Sequence, residues 1–139
     1  PIIAARGVGL AQGAIDHSQE FITNRHAFGQ AVSDFQGLRW MLADMQIQTE
    51  AARALVYKSA GAVDAGQTGS ELAIQAVIAK CHATDTAMKV ATDAVQLFGA
   101  SGISNEYPIN RYFRDAKVLQ IVEGTNQIQR NLISRIMLR

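Results

Sequence analysis

The chain has 139 residues, about one domain, and its 13 basic and 12 acidic side chains leave a net charge of +1. Without a basic run or stripe it does not resemble a nucleic-acid-binding protein, and no apolar run is long enough to span a bilayer. The single cysteine, Cys81, excludes an internal disulfide, and no Cys/His cluster predicts a metal site.

The first predicted element is a helix over residues 2–24, where apolar side chains recur at helical spacing. The chain opens on PIIAARGVG, without an initiator methionine or a signal-peptide pattern. We therefore expect residues 1–139 to form one domain of a longer protein, and we expect this piece to begin just inside the first helix. Three glycines weaken the helix and are interpreted as points of close helix–helix approach: Gly7, Gly9 and Gly13.

A second helix is predicted to start at Ser33, because Ser33 and Gln36 have the spacing of a capping box. The stretch DAGQTGS, residues 64–70, is typical of a break and ends this helix. The third helix is predicted to open at Ser70 and to end in GASG, residues 99–102.

Asp85 interrupts the apolar stripe of the third helix, so we expect it to need a polar partner. A shorter helix is predicted from Pro108, a residue suited to a first helical position. The last helix is expected to begin around Thr125 or Asn126, with Asn126 and Gln129 spaced as a cap and its partner. No β-alternation persists, so the predicted class is all-α, an antiparallel four-helix-bundle-like domain with short loops.

Residues that periodicity does not explain gather at three helix ends, where backbone groups lack partners and ligands can be held. They are Arg25, His26, Phe28 and Gly29 after the first helix, Gln96, Gly99 and Gly102 after the third, and Glu123, Thr125 and Gln127 before the last. Spacing alone also allows a purely structural interpretation of each group, as charges and glycines that suit helix ends. Two functions stay open on this basis: a helical assembly module without chemistry, and a contributor to a cofactor site built between helices and subunits.

Several stretches together resemble one family. They are GVGLAQGAID at 7–16, RHAFGQ at 25–30, DFQ at 34–36, LADM at 42–45 and the run from ATDAVQLFGASG to EGTNQIQR at 91–130. The RxxFG pattern alone is weak, but in this order, with EYP, RDAK and EGTxxIQR, the set is specific. The chain resembles, over essentially its whole length, the C-terminal helical domain of an acyl-CoA dehydrogenase of the short- or medium-chain type.

The resemblance implies an FAD-dependent enzyme that dehydrogenates an acyl-CoA thioester between its α- and β-carbons. It implies a homo-oligomer, a dimer of dimers, that passes electrons to an electron-transfer flavoprotein or a similar acceptor in the cytoplasm, or in the mitochondrial matrix of a eukaryote. It also implies an N-terminal helical domain and a middle β-domain that this chain lacks, so we expect the isolated chain to be inactive or nearly so.

The glutamate of the family's EGT motif is the base that removes the α-proton, and it corresponds to Glu123. The residues that the resemblance places at FAD, within or between subunits, are Arg25, Phe28, Gln36, Gln96, Gly99, Thr125 and Gln127. Three positions depart from the usual pattern and put the acyl-chain preference in doubt: Ala100, Ile103 and Val122. Relatives with altered chemistry share the fold, so an acyl-CoA oxidase, a reductase or a desulfinase-like enzyme stays an alternative.

Overall fold

The computed structural model describes residues 1–138, and helices dominate it. The helices are α1 (Ile2–Asn24), α2 (Gln36–Asp64), α3 (Gly69–Phe98), α4 (Ile109–Ile121) and α5 (Asn126–Met137). A two-stranded hairpin, β1 (His26–Ala27) and β2 (Gln30–Ala31), follows α1, and short 3₁₀ turns cover Val32–Asp34 and Gly99–Gly102. The predicted all-α class is confirmed, with three long helices and two shorter ones.

α3 is the central helix and packs against each of the other four. Met45 of α2 joins Val90 and Ala94 of α3 in one core cluster, whereas Ala52 joins Ala79 in a second, so α2 and α3 are antiparallel. By the same comparison α1 runs antiparallel to α2 and therefore parallel to α3. The bundle thus places the start of α1 beside the first half of α3, and the end of α1 beside the end of α3.

Close approach of α1 to α3 explains one of the three glycines in α1. A Cβ added to Gly7 would lie 2.9 Å from the carbonyl oxygen of Ala83, so only glycine fits there. A Cβ on Gly13 would meet the ring of Tyr112 at 3.1 Å, whereas nothing lies within 4 Å of one on Gly9. The interpretation of these glycines is therefore confirmed at Gly7 and Gly13, and it is wrong at Gly9.

The predicted start of the second helix at Ser33 is wrong. Ser33 lies in a 3₁₀ turn, α2 begins at Gln36, and no side chain caps it. The carbonyl of Ser33 instead accepts a hydrogen bond of 2.7 Å from Nε of Arg39, which also forms an ion pair with Asp34. The capping-box spacing was present, but the preceding hairpin delays the helix by three residues.

That hairpin was not predicted. Its two-residue loop is Phe28 and Gly29, with φ angles of 54° and 83°, between the pairs His26–Ala31 and Ala27–Gln30. Two consecutive positive φ angles are typical of a tight hairpin turn, in which asparagine rather than phenylalanine usually precedes glycine. The turn leaves the Phe28 ring 96% exposed.

No helix within the described residues is both long enough and apolar enough to cross a membrane.

Candidate functional site

The connection between α4 and α5 has an unusual backbone. Glu123 has a φ of 56° and Gly124 a φ of 86°, two consecutive left-handed residues. Within residues 1–138, Phe28 and Glu123 are the only residues other than glycine with positive φ. For an L-residue this conformation costs about 1–2 kcal/mol, so it persists only where neighbouring contacts hold it.

Two side chains hold the left-handed turn through its two carbonyl groups. Nε2 of Gln129 donates to the carbonyl of Glu123 at 2.8 Å, and Nζ of Lys80 donates to the carbonyl of Gly124 at 2.9 Å. A Cβ on Gly124 would lie 2.7 Å from the same Gln129 nitrogen, so glycine is needed for this arrangement. The α5 cap is Thr125, whose Oγ1 accepts from the backbone N–H of Ile128 at 3.3 Å. The predicted pairing of Asn126 with Gln129 as cap and partner is therefore wrong.

Asn126 is instead buried against α3, only 2% exposed, at the centre of a polar cluster. Its Nδ2 donates to Oδ1 of Asp85 at 2.7 Å and to Oγ1 of Thr84 at 2.9 Å. Its Oδ1 accepts from Nζ of Lys80 at 2.7 Å. The Asn126 amide thus connects a cation to a carboxylate and joins the start of α5 to the middle of α3.

Asp85 has the polar partners that its place in an apolar stripe predicted. Nε2 of Gln120 donates to it at 2.7 Å, and the Arg130 guanidinium pairs with it at 2.5 Å. Burial alone would raise the pKa of this carboxyl. Hydrogen bonds from Arg130, Gln120 and Asn126 outweigh burial and hold the pKa of Asp85 below its usual value. The carboxylate is therefore ionised and ties α3 to both α4 and α5.

Lys80 is 7% exposed, which is rare for a lysine. Burial lowers the pKa of its ammonium, while the nearby Cys81 and Asp85 act in the opposite direction. Its Nζ donates to Oδ1 of Asn126 and to two carbonyls, of Gly124 and, at 3.4 Å, of Gln120. Three donors meet three acceptors, so the buried ammonium is satisfied.

The Glu123 side chain is exposed and makes no hydrogen bond or ion pair with another residue of the described chain. It borders a pocket of about 280 Å³ together with Lys80, Pro1 and the first three residues of α1. Apart from Lys80 these walls are apolar. A free carboxylate at the rim of such a pocket can accept a proton from a bound molecule.

A second group of candidate residues surrounds the hairpin and the end of α3. The rings of Phe21 and Phe98 stack at 4.1 Å and bring the last turns of α1 and α3 together. Arg25 and these two rings border a pocket of about 350 Å³. Gly99 follows with a φ of 58°, and the space on its Cβ side is open.

The structure divides the predicted site residues between two ends of the bundle. Glu123, with Thr125 and Gln127 beside it, lies near the start of α1. The residues at the other end are Arg25, Phe28, Gln36, Gln96 and Gly99. Ala4 borders the Glu123 pocket and Arg25 follows the end of α1, so at 1.5 Å per residue the two ends are about 30 Å apart.

The donor set at these ends fits a cofactor such as FAD, which combines phosphates with flat rings. The Arg25 guanidinium is exposed and unpaired among residues 1–138, and the bare Phe28 ring offers an aromatic surface. Gln36, Gln96 and Gln127 are exposed and offer amides that donate and accept hydrogen bonds. In the described part of the chain, no three His, Cys, Asp or Glu side chains form a group that could hold a metal ion.

Sequence reasoning missed Lys80 and Gln129, the two side chains that hold the left-handed turn. Lys80 lies in a largely apolar helix, but lysine is usually exposed to solvent, so nothing in the sequence indicated that it would be buried. Gln129 was assigned to a helix cap. The available signal was the interruption at Asp85, which predicted a polar partner without identifying it.

Comparisons with known proteins agree over the whole chain. The family model described as "Acyl-CoA dehydrogenase, C-terminal domain" matches residues 1–138. The chain is 48% identical over 139 residues to the "Probable acyl-CoA dehydrogenase FadE25" of Mycobacterium tuberculosis, covering 100% of the chain and 35% of that relative. It superimposes on butyryl-CoA dehydrogenase from Megasphaera elsdenii with a TM-score of 0.94 and 44% identity, covering 99% of the chain and 35% of that structure. A structure described as the electron transferring flavoprotein of Acidaminococcus fermentans contains a similar chain, with a TM-score of 0.94 and 45% identity. The match covers 99% of the present chain and 35% of that one. The chain thus spans about a third of the length of the relatives it matches.

Proposed function

The chain belongs to the acyl-CoA dehydrogenase family, and from this premise we propose that it is the C-terminal helical domain of an FAD-dependent acyl-CoA dehydrogenase. In this proposal the parent protein dehydrogenates an acyl-CoA thioester between its α- and β-carbons, and this domain carries the base. When bound, FAD supplies the acceptor for the hydride that leaves the β-carbon. The similarity to butyryl-CoA dehydrogenase favours a short acyl chain.

Glu123 is the proposed base, and the observation that carries the proposal is its held left-handed turn. The turn exposes a carboxylate, unpaired within residues 1–138, at the rim of a largely apolar pocket. A weakly acidic α-proton needs a base that is positioned and only partly hydrated. The held turn supports the first condition, and a bound acyl chain and cofactor would have to exclude water from the exposed carboxylate to supply the second. The carboxylate takes the proton as the carbon–hydrogen bond at the α-carbon breaks.

The FAD contacts are proposed at both ends of the bundle. Thr125 and Gln127 lie beside the base and would contact the flavin nucleotide. Arg25 would pair with the pyrophosphate of a neighbouring subunit's FAD, since a guanidinium can donate two parallel hydrogen bonds to a phosphate group. Phe28 and Gln36 would contact the same cofactor.

Gln96 and Gly99 would hold the adenosine diphosphate part of that neighbouring cofactor, where Gly99 leaves room for close backbone approach. A separation of about 30 Å between the two ends supports contacts with two different FAD molecules. This arrangement requires an oligomer, and we propose a dimer of dimers. An electron-transfer flavoprotein or a similar protein would accept the electrons.

The test uses the full-length parent protein with bound flavin, mixed anaerobically with a panel of acyl-CoA thioesters. Bleaching of the flavin by one chain-length class is expected, and Glu123→Gln should keep FAD but lose most of that bleaching. Glu71→Gln, an exposed glutamate in the first turn of α3, is the matched control and should behave as wild type.

Four results would contradict the proposal, or the expectation about the isolated chain, in different ways. Near wild-type bleaching in Glu123→Gln would place the base elsewhere. A bound flavin that no acyl-CoA bleaches would favour a reductase or a desulfinase-like enzyme, and a full-length protein without flavin would favour the assembly module. Tight, stoichiometric binding of FAD by the isolated 139-residue chain would contradict our expectation that this piece lacks a complete site.

A further inference from the structure

We propose that Lys80 is a positioning residue for the base, holding the left-handed turn that sets the direction of the Glu123 carboxylate. This inference rests on the proposed function of Glu123 as the base. Lys80 does not touch the Glu123 carboxylate in a hydrogen bond or an ion pair. It acts on the backbone next to it.

Every donor of the Lys80 ammonium is directed at the α4–α5 connection. Its three acceptors are the carbonyls of Gln120 and Gly124 and the side chain of Asn126, so they bracket Glu123 on both sides along the chain. The contact with the Gly124 carbonyl, at 2.9 Å, is on the peptide group directly after the left-handed pair. Rotation of Glu123 out of its positive φ would move that carbonyl away from the ammonium.

The acceptor on Asn126 is itself held in one orientation. Its Nδ2 donates to both Thr84 and Asp85, so its Oδ1 must face Lys80. Arg130 in turn pairs with Asp85 and donates to the carbonyl of Asn126 at 3.2 Å. The ammonium is therefore one end of a chain of contacts, and neither Lys80 nor Asn126 can move alone.

A general stabilising role explains this arrangement less well. Apolar side chains throughout the cluster would fill the same space on α3 without buried charges, and replacing a whole buried ionic cluster by apolar residues is often neutral or stabilising. We assign the charge a role in positioning, because its three hydrogen bonds reach the end of α4, the α4–α5 connection and the start of α5. Gln129 adds the second restraint, at the carbonyl of Glu123.

The test is Lys80→Met in the full-length, flavin-loaded protein, with Lys89→Met as the matched control. Lys89 is an exposed lysine of the same helix that pairs with Asp93. The rate of anaerobic flavin bleaching per bound flavin is measured at several concentrations of butyryl-CoA, with and without deuterium at the α-carbon.

The limiting rate of Lys80→Met should fall about 10- to 100-fold, while the half-saturating substrate concentration changes less than about twofold. The α-deuterium isotope effect should be at least as large as in the wild type, since proton removal becomes the slower step. A merely structural role would reduce the amount of flavin-loaded protein and leave the rate per flavin unchanged, and that result would overturn the proposal.

Gln129→Met keeps the proposal testable if Lys80→Met does not retain flavin, because Gln129 is only half-buried. A lower limiting rate at unchanged half-saturation is expected, and an unchanged rate per flavin would then overturn the proposal.

Glu123→Gln separates the two levels of inference. If it retains turnover, the proposed base is wrong; if it is inactive while both positioning variants keep the wild-type rate, only the role of Lys80 is wrong.

Discussion

Replacing Gly124 by alanine tests whether the left-handed turn matters for the chemistry. Gly124 has a φ of 86°, and an added Cβ would lie 2.7 Å from Nε2 of Gln129. Gly66 provides a matched control in the connection between α2 and α3. Its φ is 72°, and nothing lies within 4 Å of an added Cβ. The two substitutions impose the same backbone strain, but only one of them disturbs the contacts around Glu123.

The expected loss of stability follows from these contacts. A left-handed alanine costs about 1–2 kcal/mol, and this is the whole effect expected for Gly66→Ala. In Gly124→Ala the methyl group also pushes the Gln129 side chain off the Glu123 carbonyl, and a hydrogen bond of this kind contributes about 0.5–1.5 kcal/mol. Gly124→Ala should therefore lower the free energy of unfolding by about 1.5–3.5 kcal/mol.

Two assays on the full-length protein separate strain from position. Chemical denaturation should show that both variants are less stable than the wild type, with Gly124→Ala the less stable of the two. If Glu123 is the base, as proposed, anaerobic flavin bleaching by acyl-CoA should be roughly tenfold slower or more in Gly124→Ala, because the displaced carboxylate loses alignment with the α-carbon. The bleaching rate of Gly66→Ala should be unchanged. Equal, wild-type rates in both variants would refute the reasoning, since the chemistry would then tolerate a rearranged turn.

Three further predictions concern packing, pH and the cofactor. Gly7→Ala should lower the free energy of unfolding by about 1–2 kcal/mol through crowding against α3, whereas Gly9→Ala, with open space around it, should raise it by about 0.5–1 kcal/mol. The pKa of Asp85 is lowered in the fold, so its stabilisation is present above its ordinary value of 3.8 and is lost as the pH falls below it. Asp85→Asn should therefore lose stability at neutral pH and show a shallower fall in stability toward acid, measured by denaturation at several pH values. Arg25→Ala should reduce the flavin-to-protein absorbance ratio of the purified protein. Arg6 is also exposed but lies near the opposite end of α1, and Arg6→Ala should leave that ratio unchanged.

Local periodicity predicted the helices well because apolar side chains recur at helical spacing along each long helix, even in the central α3, which is buried on more than one side. The first helix was predicted at residues 2–24 and runs over Ile2–Asn24, and the third was predicted within one residue of Gly69–Phe98. Helix starts were predicted less well. At Ser33 a valid capping-box spacing lost to a hairpin that ends only two residues earlier, and that hairpin has no local signal because Phe28 occupies a position where asparagine is usual.

The candidate residues at helix ends could be found from the sequence, but their arrangement could not. Glu123 and Arg25 both follow or precede a helix, and nothing local shows that they lie at opposite ends of the bundle. Lys80 was beyond reach for a related reason. Its partners lie 40 to 46 residues away along the chain, and a lysine has no pattern that distinguishes a buried position from a solvated one.

The long-range contacts of Lys80 also set the order in which the turn can form. A left-handed conformation of Glu123 is unfavourable by itself. One contact that holds it joins Lys80 to the carbonyl of Gly124, which lies 44 residues later in the chain. At the usual speed of synthesis, the ribosome needs roughly 2–9 s to add that stretch. Until the chain has been made through Asn126, the Lys80 ammonium lacks part of its final set of acceptors, so the turn cannot yet be held. The direction of the Glu123 carboxylate is therefore decided only when α5 docks on α3, so in the nascent chain the proposed base is among the last groups to reach its final orientation.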